Sequence, residues 1–119
     1  MSGHGLAVAE RIRRRPEFER IYKDGARIHG RFMTLFVLPN GGTAPRFGVA
    51  ATRKLGSAVE RNRAKRRARE LFRRRTQIGG LDIVIVPRRE MLDAPFASLE
   101  AEYSSLLNRR GRARVAAGL

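Results

Sequence analysis

The chain has 119 residues, a net charge of +15 and no cysteine. It is therefore the size of one ordinary domain, without disulfides, thiolate zinc sites or cysteine nucleophiles, and its charge calls for a polyanionic partner. With only His4 and His29 a histidine metal site is not expected. No apolar run approaches the roughly 20 residues that span a bilayer, and the N-terminus has no signal-peptide core, which points to a soluble cytoplasmic protein.

Of the 26 basic residues, 23 are Arg, the side chain whose planar fork grips phosphate bidentately. A GC-rich genome explains that bias towards Arg better than it explains the total charge. Self-repulsion at +15 predicts a salt-sensitive fold that gains from anions.

Residues 1–14 read as a flexible basic arm. Pro16 suits a first helical turn, Phe18, Ile21 and Tyr22 share one face, and Gly25 is a stop, giving a short helix over 16–24. Residues 27–38 read as a strand, whole or broken in two. Ile28, Phe32, Thr34, Phe36 and Leu38 share one face, and Arg31, Met33, Leu35 and Val37 the other. The turn Pro39-Asn40-Gly41-Gly42 leads to a second strand over 46–54, with Phe47, Val49 and Ala51 on one face. These two strands are expected to form a hairpin.

Gly56 ends that strand, and Ser57-x-x-Glu60 is a capping box opening a helix over about 58–76. Ala64, Ala68, Leu71 and Phe72 form a narrow apolar stripe on it. Residues 82–87, Asp-Ile-Val-Ile-Val-Pro, read as a strand buried on both faces. Asp93 and Pro95 open a last helix carrying Phe96, Leu99, Tyr103, Leu106 and Leu107, with Asn108 and Gly111 as stops and 109–119 as a basic tail. The result is a single α+β domain in the order α-β-β-(β)-α-β-α.

The acidic residues are scattered where capping or charge balance accounts for them, and neither a nucleophile triad nor a Gly-rich phosphate loop is present. Chemistry by the protein's own side chains is not expected. The informative stretch is 53–75, where 11 of 23 positions are Lys or Arg and only Glu60 and Glu70 oppose them. Arg61, Lys65 and Arg69 recur at helical spacing beside Asn62, Arg66 and Arg73, with Arg63, Arg67 and Arg74 extending the charge around the helix. A folded helix of this charge points to nucleic acid. Phe18, Tyr22, Phe36 and Phe47 fit core packing, with a cleft ring free to stack on single-stranded bases as the alternative.

The segment from Lys54 to Glu70, with Gly56, Ala58-Val59, Arg61-Asn62-Arg63, Lys65-Arg66 and Arg69-Glu70 in order, resembles the signature of the bacterial ribonuclease P protein family. Residues 16–25, 46–49 and 82–86 extend the likeness over roughly residues 13–107. Arg53, where Lys is frequent, and Glu17, where Asp is common, are mild departures.

The resemblance implies an α+β sandwich of the ribosomal S5 domain 2-like type with a left-handed βαβ crossover, an exception to the usual hand. It implies the protein subunit of a ribonucleoprotein that removes the 5′ leader of precursor tRNA, with catalysis by the RNA subunit and its magnesium, and no cofactor in the protein itself. Arg61, Asn62, Arg63, Lys65, Arg66 and Arg69 would then face the catalytic RNA. Phe18, Tyr22 and Phe36 would line the leader cleft, with Arg53 and Lys54 nearby. The partners would be the RNA subunit and precursor tRNA, with no membrane and no obligate protein partner. A structural RNA-binding protein, a protein-only nuclease and a DNA-binding protein are the rival readings.

Overall fold

A computed structural model of the chain describes residues 11–42, 44–74 and 79–118, with side chains as far as 109. The elements run α1 (Arg15–Asp24), β1 (Ala26–His29), β2 (Met33–Pro39), β3 (Arg46–Val49), α2 (Ala58–Arg74), β4 (Leu81–Pro87) and α3 (Phe96–Gly118). Short 3-10 turns occupy Arg53–Leu55 and Arg89–Leu92. The strands form one sheet in the order β1-β2-β4-β3, antiparallel except for the parallel β3–β4 pair. This is the α+β sandwich expected, with the first strand broken in two.

Helices cover both faces of the sheet. On one face Met33, Leu35, Val37, Phe47, Ile83 and Ile85 pack against the Ala64, Ala68, Leu71 and Phe72 stripe of α2 and against Leu99, Tyr103 and Leu106 of α3. The two alanines, both fully buried, let α2 approach the sheet closely, and Phe47 stacks on Phe72 at 4.7 Å between ring centroids. On the other face Ile12, Ile21 and Val84 form a smaller core, edged by Phe18, Phe36, Leu38, Ala50 and Val86. Ile83 and Ile85 on one side and Val84 on the other are why β4 is buried on both faces.

Four expectations are corrected. The first is the hairpin: β2 and β3 do not pair, because β4 lies between them. A strand that is apolar on both sides is stable only in the interior of a sheet, and the short 40–45 connection bridges across it. The strand expected over 46–54 is also shorter, ending at Val49, although Ala50 still donates to the Ile85 carbonyl at 2.9 Å.

The second concerns Ile28. The chain reverses at residues 30–32, so Ile28 pairs opposite Leu35 and packs, as Phe32 also does, against the larger core, on the face opposite Phe36. Third, residues 11–14 are not an arm. Ile12 is buried and donates to the Phe47 carbonyl at 2.8 Å, and Arg11 forms a parallel bridge with Phe47. Residues 1–10 lie outside the described residues. Fourth, α3 passes Asn108 and Gly111 and continues to Gly118.

Two local features hold α1 and β1 in place. A Cβ at Gly25 would lie 2.6 Å from the Ile21 carbonyl oxygen and 2.9 Å from that of Val37, so the turn out of α1 needs glycine for close approach to β2. Glu102 of α3 accepts from the backbone N–H of Arg31 (2.7 Å), Phe32 (2.8 Å) and Met33 (3.1 Å). Glu102→Ala leaves those donors without their carboxylate and should cost about 2 kcal/mol, read by thermal melting. Glu102→Gln, which keeps one acceptor, should recover part of the loss.

Candidate nucleic-acid interface

The capping box forms as the sequence predicts. Ser57 Oγ accepts from the Glu60 N–H at 3.2 Å, and Glu60 Oε1 accepts from the Ser57 N–H at 2.9 Å. Arg89 strengthens it, donating to Glu60 at 3.1 Å and to the Leu55 carbonyl at 2.7 Å. The backbone bonds of Ser57, ahead of the Arg89 contacts, hold the Glu60 carboxyl below its usual pKa. The start of α2 is thus fixed against the turn that carries Arg53 and Lys54, whose neighbour Leu55 is buried in the core.

From that fixed start, a turn of 100° per residue divides the charge of α2 into two flanks. The flank towards α3 is internally engaged. Arg67 donates to the Ala94 carbonyl with its guanidinium 6.0 Å from the Phe96 ring centre, and burial lowers its pKa. Arg74 pairs with Glu70 at 2.8 Å and Glu100 at 3.6 Å and lies 4.7 Å over Phe96. Arg63 reaches Asp93 at 3.9 Å. Arg67 and Arg74 therefore do not extend the cationic surface as expected, and Arg63 stands at its margin.

The other flank carries Asn62, Arg66 and Arg69, all exposed, and Lys65, half-buried towards β3. Among the described residues no ion pair engages Lys65, Arg66 or Arg69. Arg61 donates to the Gly56 carbonyl at 2.9 Å, so it also ties the helix to its preceding turn.

The aromatic residues of the smaller core form a connected row. Phe18 and Tyr22 are 6.2 Å apart between ring centroids, and Tyr22 meets Phe36 edge-on at 4.8 Å. Tyr22 is 38% exposed, while Phe18 and Phe36 are half-buried. The row therefore packs on one side and is open on the other. The Tyr22 hydroxyl, neutral at physiological pH in any case, is pushed higher still by burial and can donate a hydrogen bond. Arg27, which the sequence reading passed over, extends the row: it pairs with Phe36 across β1–β2 and its guanidinium lies 5.9 Å from that ring's centre.

Phe18 also links this row to α2. It lines two adjoining cavities of about 330 and 350 Å³, both of which include Arg13, Val49 and Lys65. Arg11 and Arg69 line the first, Arg15 and Thr52 the second. Arg53 and Lys54 follow Thr52 directly, exposed beside the second cavity, and do not themselves line it. Phe18 thus joins the aromatic row to the two cavities, which reach the free flank of α2 at Lys65 and Arg69. Among the described residues no three His, Asp or Glu side chains converge on a common point. No described helix is long and apolar enough to cross a membrane.

Comparison with known proteins matches the same architecture. A family model described as Ribonuclease P matches residues 6–111. The chain is 41% identical over 106 residues to a ribonuclease P protein component from Oleidesulfovibrio alaskensis, covering 86% of this chain and 84% of the relative. It is 42% identical over 111 residues to one from Symbiobacterium thermophilum, covering 89% and 95%. The solved RNase P protein from Thermotoga maritima superposes with a TM-score of 0.75 at 33% identity, covering 84% and 96%. That from Staphylococcus aureus gives 0.73 at 30%, covering 83% and 93%.

Proposed function

Because the chain belongs to the ribonuclease P protein family, we propose that it serves as the protein partner of a catalytic RNA in removing the 5′ leader from precursor tRNA. The observation that carries this reading is a half-open aromatic row whose Phe18 also lines, with Lys65 and Arg69, a cavity beside the flank of α2 that no ion pair engages among the described residues. Single-stranded bases stack on such a row whatever their sequence. Unpaired Lys and Arg bind phosphates and release counterions.

In this reading Arg61, Asn62, Arg63, Lys65, Arg66 and Arg69 face the RNA subunit. Arg66 and Arg69 make the strongest contacts, and Arg61 and Arg63 act from the edges. Phe18, Tyr22 and Phe36 receive the leader, and Arg53 and Lys54 meet its phosphates beside the second cavity. The protein binds and positions; its side chains break no bond. The magnesium that such chemistry requires is held by RNA. The work is done in the cytoplasm, where precursor tRNA is.

The test is reconstitution. The chain, a bacterial ribonuclease P RNA and a precursor tRNA are combined at low magnesium, and cleavage is compared with RNA alone. The expected result is faster cleavage and tighter substrate binding with protein present. No improvement over RNA alone sinks the reading, and cleavage by protein without RNA indicates a nuclease instead. Tyr22→Ala should weaken precursor binding about tenfold, in line with the loss of one base stack, and leave mature tRNA binding unchanged. Equal losses for both substrates would take Tyr22 out of the leader site.

A further inference from the structure

We propose that Arg27 is a specificity-determining residue for the leader, its guanidinium reading a guanine base that stacks on Phe36 at the end of the aromatic row. This role rests on the leader site proposed above and names the base preferred at one end of it.

The row crosses the sheet from edge to edge. Phe18 sits over Gly48 of β3, where an added Cβ would lie 2.8 Å from its ring. Phe36 belongs to β2 and Arg27 to β1. β3 and β1 are the two edge strands, so Arg27 ends the row on the edge opposite the cavities, which Val49 of β3 lines. Strand pairing sets its placement. Arg27 stands opposite Phe36 and His29 opposite Thr34. Residues two apart on a strand share a face, and the 3.2 Å contact of His29 Nδ1 with Thr34 Oγ1 fixes which face this is. β1 is also held at both ends. Gly25 approaches the Val37 carbonyl closely before it, and after it Arg109 donates to the His29 carbonyl while Glu102 holds the turn at 31–33. Arg27 is thus an exposed side chain on an anchored backbone.

The guanidinium is near the ring and uncommitted. It lies 5.9 Å from the Phe36 centre, farther than the about 3.5–4 Å of close carbon contact, so it does not cover the ring closely. A base can reach the half-buried ring with the guanidinium at its edge. Among the described residues no ion pair engages Arg27, although Asp24 lies three residues before it. Its fork carries N–H donors and no acceptor. Guanine presents two acceptors side by side, N7 and O6, whereas adenine places its amino donor next to N7 and cytosine turns an amino donor to the same edge. The larger face of a purine also covers more of the Phe36 ring than a pyrimidine does. At an exposed site the contact should discriminate by about fivefold, the lower end for a bidentate pair.

The experiment has two arms on the full chain, comparing wild type with Arg27→Lys and Arg27→Ala. In the first, the ribonucleoprotein assembled with a bacterial ribonuclease P RNA cleaves precursor tRNAs with randomised leaders at low magnesium, and the uncleaved pool is sequenced over time. Wild type should deplete substrates with guanine at one leader position about fivefold faster than those with adenine there. Both variants should lose that preference, Lys included, because an ammonium keeps the charge without the fork. In the second, the protein alone is titrated with oligouridylates carrying a single guanine or a single adenine. Wild type should favour guanine, and the variants should bind both alike. Preference for another base, or a guanine preference that Arg27→Lys retains, overturns the role of Arg27. A protein that assists the RNA subunit but prefers no base at any leader position overturns it too, and leaves the proposed function standing. If the chain fails to assist the RNA subunit while the second arm holds, the proposed function fails and the guanine contact stands. Neither substitution should move the melting temperature; were Arg27→Ala to melt low, Arg27→Lys carries the test.

Discussion

Arg66→Ala should weaken RNA binding without moving the melting temperature, whereas Arg61→Ala should change both. The two residues are five apart on one helix and carry the same charge, but their surroundings differ. Arg66 is exposed and no ion pair engages it, so its removal is a surface change, within about 0.5 kcal/mol in stability. If it holds one phosphate, the slope of log affinity against log salt falls by about one. Between 50 and 200 mM salt the variant would then lose about fourfold less affinity than the wild type does.

Arg61 donates to the Gly56 carbonyl at 2.9 Å. Its loss leaves that acceptor unpaired at the mouth of α2 and should cost about 1 kcal/mol in addition to any phosphate contact. The measurement is a salt titration of RNA binding beside a thermal melt for each variant. An unchanged slope for Arg66→Ala removes that residue from the interface, and an unchanged melt for Arg61→Ala removes its structural part.

The contrast shows what the sequence can and cannot carry. The start and seam of α2 were legible because both are local. Ser57 and Glu60 satisfy each other across three residues, and Ala64, Ala68, Leu71 and Phe72 repeat at the helical period. The fate of each arginine was not local. Arg66 and Arg67 are adjacent, yet one faces outward and the other is turned under Phe96 and the Ala94 carbonyl, because the 100° between them meets α3 on one side only.

The same distinction runs through the sheet. The both-face apolar pattern of residues 82–87 marked a buried strand, but not that it would lie between β2 and β3, since nearness in sequence favours the hairpin. At the candidate site, Phe18 and Tyr22 were legible as one face of a short helix. Arg11 and Arg13 were missed because the pattern Arg-Ile-Arg is too short to distinguish an extended edge from an arm. It becomes meaningful only when Phe47 lies beside it.

Asp82→Ala should be among the most destabilising single substitutions in this chain, and its cause lies in a carboxylate that the sequence shows only as the first residue of an apolar strand. Asp82 is 1% exposed. Arg46 of β3 lies 3.2 Å from it, Asn40 donates to it at 3.0 Å, and Arg20 of α1 stands at 4.0 Å. Arg46 in turn donates to Glu17 at 2.8 Å, and Glu17 accepts from the Arg14 N–H at 3.3 Å. One buried charge therefore ties the end of β2, the edge strand β3 and the first turn of α1 to β4.

Removing it leaves Arg46 and Asn40 facing an empty site. Arg46 keeps Glu17, which places the cost at about 3 kcal/mol, the lower end for breaking one side of a buried pair, or about 12 °C in Tm for a domain of this size. Asp82→Asn, which retains the shape and one acceptor, should lose less. The outer link is sensitive to pH. The hydrogen bond from Arg46, assisted by backbone N–H groups, holds the Glu17 carboxyl below its usual pKa. Its contribution is therefore complete above the unfolded value of about 4.3 and disappears as pH falls through the lower folded value. Acid titration of the melting temperature should show that loss in the wild type and a smaller one in Glu17→Gln. A melt of Asp82→Ala within 2–3 °C of wild type, roughly what about 0.5 kcal/mol would produce, would show that the network is ornamental and that α1 is held by its apolar contacts alone.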